Sequence, residues 1–156
     1  MNRKIVEYPN QILRKKCLEV KKITAEIKEL AEEMKKIMMK EDGIGLAGPQ
    51  VGESKRLITV FFDGQPEVFL NPRILRKSRK TEIMEEGCLS FPGLFLKIKR
   101  AKEIDLEFVD LNNIKKRMNL EGLSARVFQH EIDHLDGMLF IDRISLPKKL
   151  WRLLKN

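Results

Sequence analysis

The chain has 156 residues, 42% hydrophobic and 35% charged, which suits one folded domain and excludes a disordered or fibrous chain. Its formal charge of +8 favours polyanionic surfaces such as RNA. No apolar run approaches the length that crosses a bilayer, "MNRKIVEYPN" has no signal-peptide core, and two cysteines make no disulfide framework, so a reducing cytoplasm is the expected setting, with neither membrane nor DNA as partner.

Residues 1–20 read as irregular, passing through Pro9 and Asn10. A helix is predicted from Thr24, a natural N-cap. Ile27, Leu30, Ala31, Met34, Ile37 and Met38 then recur at helical spacing, and Gly43 lies just past the end. "GIGLAGPQVG", 43–52, carries four glycines and a proline and is expected to be irregular. "RLITVFF", 56–62, reads as a strand, Asp63-Gly64 as a hairpin turn, and "EVFLN", 67–71, as the returning strand. Further strands are predicted at 73–77, 81–86, 94–100 and 103–110, with Asn112-Asn113 turning the chain into 114–120. A second helix is predicted over 123–136, with Gly137 as its C′ residue. A short last helix should start near Pro147, with Ser145 as a possible cap. The fold class is α+β: antiparallel strands packed around a central helix, with an N-terminal helix and a short C-terminal one, in a single domain over 1–156.

The only two histidines fall together in "QHEIDHLDG", 129–137. H-E-x-x-H on a helix places two imidazoles one turn apart on one face, where both can reach one metal ion, and the Glu between them can take a proton from water at that ion. The pattern predicts His130 and His134 as ligands and Glu131 as base. A third ligand is needed. The position where metzincins carry a third histidine is Phe140, and no Glu follows Glu131. Asp136 lies on another helix face, which points upstream to Cys88 in "EEGCLSFPG". Gly87 allows close approach there, and a thiolate suits a borderline-soft ion. Cys17, in "RKKCLEV", has no such flank and reads as structural. Asp133, facing away from the metal, is expected to pair with a basic residue on a neighbouring strand, Arg100 first.

Three segments, "GIGLAGPQ" at 43–50, "EGCLS" at 86–90 and "QHEIDHLDG" at 129–137, together resemble peptide deformylase over nearly the whole chain. The resemblance implies a hydrolase that removes the N-formyl group from the N-terminal formyl-methionine of newly made proteins, releasing formate. It carries the metal ligands onto Cys88, His130 and His134, and the general base onto Glu131. It carries oxyanion stabilisation onto Gln50 and the Leu89 backbone N–H. Substrate-lining backbone falls on Ile44, Gly45 and Gly87, and an apolar pocket wall on Leu123. It implies Fe2+ as the native ion, with Ni2+, Co2+ or Zn2+ able to substitute. Two departures stand out: Gly48 where the family usually has Ala, and Leu94 and Phe95 where members often carry a basic residue.

Two other readings use the same residues. One is an H-E-x-x-H metallopeptidase; the other is a basic RNA-binding module with a structural metal, which would need a fourth protein ligand. The basic end of the chain, with Lys148, Lys149, Arg152 and Lys155 around Leu150, Trp151, Leu153 and Leu154, is expected to favour weak ribosome association.

Overall fold

A computed structural model describes residues 2–145 and Pro147. The short helix expected from Pro147 onward lies outside the described residues, as does its basic cluster.

Helix α1, Ala25–Lys40, starts where predicted: the Thr24 hydroxyl accepts from the Ile27 N–H at 3.3 Å. Its buried stripe of Ile27, Leu30, Ala31, Met34 and Met38 packs with Leu46, Leu57, Val68 and Leu70. The left-handed residue that ends it is Asp42 (φ 54°), one position before the expected glycine.

Six strands follow the predicted positions closely: β2 Leu57–Phe62, β3 Gln65–Lys77, β4 Thr81–Gly87, β5 Phe95–Ala101, β6 Glu103–Val109 and β7 Lys115–Glu121. Asp63 and Gly64 both take positive φ, the requirement of a two-residue turn matching strand twist. The segments expected at 67–71 and 73–77 are one strand. β3 crosses Pro72 at a register shift between Leu70 and Arg73, which is how a strand absorbs a residue that cannot donate.

The glycine-rich segment corrects the expectation of irregular chain. Gly45–Ala47 is a short strand, β1, paired antiparallel with Ile58–Val60 of β2, and Gly48–Val51 is a 3-10 turn opened by Pro49. A second 3-10 turn, Gln11–Arg14, lies in the N-terminal part read as irregular. Every ladder between named strands is antiparallel: β1-β2-β3-β6-β7 form one sheet and β4-β5 a second among the described residues.

Helix α2, Gly122–Leu135, is buried without a break from Ala125 to Leu135. Phe128 sits against Phe69 at 4.7 Å between ring centroids, and burying such a side chain stabilises the fold by roughly 1.5–3 kcal/mol. Gln129 fixes the helix against the end of β5: its amide accepts from the Ala101 N–H and donates to the Ala101 carbonyl, the two backbone groups a neighbouring strand would otherwise take. No helix among the described residues is long and apolar enough to cross a membrane.

Candidate metal centre

Cys88 follows the last residue of β4, and a tight turn closed by Phe91 N–H to the Cys88 carbonyl directs the chain away after it. His130 and His134 stand one turn apart on α2. One ligand atom from each of Cys88, His130 and His134 lies within 4.8 Å of the others, with Cys88 Sγ 3.3 Å from His134 Nε2. Cys17 is not part of this group. It lies in the core beside Leu135, and burial pushes its thiol up to about 11.

A side chain absent from the sequence reading holds His130. Glu86, buried at the end of β4, accepts from His130 Nδ1 at 2.9 Å, so the other ring nitrogen is left to face Cys88. Glu86 also accepts from Arg100 Nε and Nη2 and from Arg126 Nη1, at 2.6, 2.9 and 2.6 Å. Burial opposes its charge, but the bonds from His130 and Arg100 outweigh that and hold the carboxyl at about 2. Arg100 also reaches Asp133 at 2.9 Å, the pairing expected from the sequence. Burial likewise opposes charge on His130, yet its contacts with Cys88 and Glu86 raise it to about 10, whereas burial holds His134 well below its ordinary value. A cysteine sulfur and two imidazole nitrogens gathered within one another's reach are the donors a divalent, borderline-soft cation takes, so the residues fit a metal.

Glu131 is buried beside them, and burial lifts its carboxyl to about 7. One of its oxygens has no hydrogen-bond partner among the described residues. Its place depends on Gly45: a Cβ there would come within 2.5 Å of Glu131 Oε1. Gly45→Ala should therefore displace the carboxylate and lower kcat by on the order of 10²-fold with metal content unchanged, measured by steady-state kinetics and metal analysis. Wild-type turnover would show that the contact does not set the Glu131 position. Gly48, which stands where the resemblance would place Ala, answers to space as well. A Cβ would meet the carbonyl oxygens of Lys55 and Glu53 at 2.6 and 2.8 Å, so this chain's loop at 53–55 occupies the methyl's volume.

Gln50 is buried, with its amide oxygen accepting from the Ala47 N–H at 2.9 Å. Its nitrogen donates to Ser90 Oγ at 3.2 Å and approaches Cys88 Sγ at 3.6 Å. Ser90 in turn donates to the Val6 carbonyl, tying the N-terminal segment to the site. A pocket of about 900 Å³ collects Ile44, Gly45, Gln50, Gly87, Cys88, Leu89, Leu123, His130 and Glu131 on its walls; His134 lies behind it, buried. Phe95 lines the same pocket, its ring laid over Gly87, in the stretch expected to lack a basic contact. Glu86 and Ser90 were missing from the sequence reading, although both sit inside the "EGCLS" motif that signalled Cys88.

The family model described as Polypeptide deformylase matches residues 2–150. The chain is 46% identical over 143 residues to a peptide deformylase of Dictyoglomus thermophilum, covering 92% of this chain and 93% of that one. It is 41% identical over 148 residues to the chloroplastic peptide deformylase 1B of rice, covering 92% of this chain and 55% of the rice protein. The crystal structure of peptide deformylase from Thermotoga maritima superposes with a TM-score of 0.90 at 42% identity, over 92% of this chain and 98% of that one.

Proposed function

The chain belongs to the polypeptide deformylase family, and from that premise we propose how its own residues carry out the reaction. The reaction removes the N-formyl group from the N-terminus of newly made proteins, releasing formate. The observation that carries the assignment of residues is the convergence of Cys88, His130 and His134 beside a buried Glu131 in one pocket.

Cys88, His130 and His134 would hold one divalent ion, which when bound supplies Lewis acidity that polarises a carbonyl and eases deprotonation of water. We read Fe2+ as the native ion, with Ni2+, Co2+ or Zn2+ able to replace it, because the family implies it; a thiolate and two imidazole donors by themselves ask for a divalent, borderline-soft ion. Glu131 takes a proton from the attacking water and returns it to the leaving amine nitrogen. Its upward shift suits both steps near neutral pH. The Gln50 N–H that faces Cys88 across 3.6 Å is only loosely engaged, whereas the other is held by Ser90. That loose N–H and the Leu89 backbone N–H serve as donors to the oxyanion developing on the formyl carbon. Ile44, Gly45 and Gly87 offer backbone to the peptide, and exposed Leu123 offers an apolar wall for its first side chain. The buried run of α2 supports the reading of strands arranged around the H-E-x-x-H helix, and the family match over 2–150 supports one catalytic domain over 1–156.

Formate release from a formyl-methionyl peptide by anaerobically prepared protein, compared with an unformylated peptide, tests this reading. Cleavage of both peptides at an internal bond would favour the metallopeptidase. A closed structural site needs a fourth ligand, and the cluster among the described residues has three. Gln50→Leu should lower kcat by on the order of 10²-fold with metal content intact. Unchanged kcat with raised KM would assign Gln50 to substrate binding alone.

We place the enzyme in the cytoplasm, where two free cysteines suit reducing conditions, and propose that it visits ribosomes weakly through Lys148, Lys149 and Lys155. Changing these three to Glu should reduce co-sedimentation with ribosomes at low salt and leave cleavage of a short formyl peptide unchanged. Co-sedimentation equal to wild type would remove this segment from the contact.

A further inference from the structure

Asp133 lies on α2 between His130 and His134, and two arginines from different elements converge on it. Arg143, in the 3-10 turn Phe140–Arg143 beyond the helix, donates Nη2 to Asp133 Oδ1 at 2.6 Å and Nε to Oδ2 at 3.0 Å, a two-pronged grip on one carboxylate. Arg100 donates Nη1 to the same Oδ2 at 2.9 Å and gives Nε and Nη2 to Glu86. Glu86 Oε1 receives both Arg100 Nη2 and His130 Nδ1. The chain of contacts therefore runs from a partly exposed Arg143 through Asp133, Arg100 and Glu86 to the ring of His130.

We infer that Arg143 is a positioning residue for His130, acting through Asp133 and Arg100. This rests on His130 being a metal ligand. The physical argument is competition for one guanidinium. With Arg143 in place, both Asp133 oxygens are satisfied and Arg100 keeps its Nε–Nη2 edge for Glu86. Without it, Asp133 Oδ1 has no donor, and the carboxylate draws the Arg100 guanidinium, already bonded to Oδ2 through Nη1, further toward itself. That movement loosens the Nε–Nη2 edge from Glu86, whose Oε1 is shared with His130, so Glu86 turns and the His130 ring loses the acceptor that fixes its orientation. Nothing in the metal site needs Arg143 to touch it.

The test uses Co2+ as probe, loaded anaerobically into the wild type and into Arg143→Met, Arg143→Lys, Asp133→Asn and the Asp133→Asn/Arg143→Met double variant. Visible absorption reports the ligand field, and transfer of cobalt to a chelator reports its release. Arg143→Met should shift the absorption bands and release cobalt about ten-fold faster, the lower end for an outer partner of a metal site. Arg143→Lys, which keeps the charge without the fork, should fall between. The double variant should release cobalt no faster than Asp133→Asn alone, because both changes act along one path. If Arg143→Met fails to fold, the Lys and double variants carry the same comparisons. Wild-type spectrum and release in Arg143→Met, whatever its thermal stability, or additive effects in the double variant, would overturn the positioning role. A wild type that takes up no Co2+ would overturn the metal reading beneath it as well.

Discussion

Glu131→Ala should retain its metal and lose turnover, with kcat falling by about 10⁴-fold, the upper end for loss of a general acid–base group. Glu131 is assigned two proton transfers, one to start the attack and one to release the amine, and the other buried carboxylate beside the ligands, Glu86, is committed to His130, Arg100 and Arg126. The thermal midpoint should not drop. Glu131 is buried with one oxygen unpartnered among the described residues, so its removal relieves a desolvation cost rather than breaking a contact. Metal analysis, steady-state kinetics and thermal unfolding on one preparation check all three statements. Loss of metal together with activity would make Glu131 a ligand and end its assignment as base.

Cys88→Ser should weaken metal binding by more than about 10²-fold, beyond what loss of an outer hydrogen-bond partner gives. A hydroxyl is a poor, largely protonated donor where a thiolate bound, and the two imidazoles alone leave the ion without its strongest ligand. The control needs care. Cys17 is fully packed in the core, so Cys17→Ser would bury a hydroxyl among apolar groups and cost about 1–3 kcal/mol. Cys17→Ala is the cleaner comparison and should keep wild-type metal content. Equal metal loss in the Cys88 and Cys17 variants, or in neither, would remove Cys88 from the site.

The legible part of this site is the part that local geometry dictates. Helical spacing puts His130 and His134 on one face whatever the rest of the chain does, and a glycine before Cys88 is visible without a fold. Thr24, Asp63-Gly64 and Asn112-Asn113 were readable for the same reason, since caps and turns are set by a few adjacent residues. What stayed hidden depends on pairing at a distance. Glu86 meets His130 across 44 positions and Arg126 across 40, and nothing in "TEIMEEG" distinguishes Glu86 from Glu85 until β4 and β5 pair and one face turns inward. β1 was missed because three residues are too few to show alternation; its strand character comes from β2 beside it. The break expected at Asn71-Pro72 was absent because a bulge in β3 absorbs the proline.

The arrangement around Glu86 also limits how this sequence can drift. A neutral residue at position 86 would leave Arg100 short of its main counter-charge and Arg126 short of the one carboxylate it meets among the described residues, all in buried surroundings. Breaking a buried pair from one side costs about 3–5 kcal/mol, against a total stability on the order of 5–15 kcal/mol for a domain. A route to an apolar version of this cluster exists in principle, because three well-packed hydrophobic residues can match a buried ionic triad. It is closed to single steps: each one-residue intermediate strands a charge, and a change at Glu86 also frees His130 to rotate. Positions 86, 100 and 126 therefore change as a set or stay as they are. A mutational scan that visits them one at a time will record three intolerant sites where there is one coupled unit.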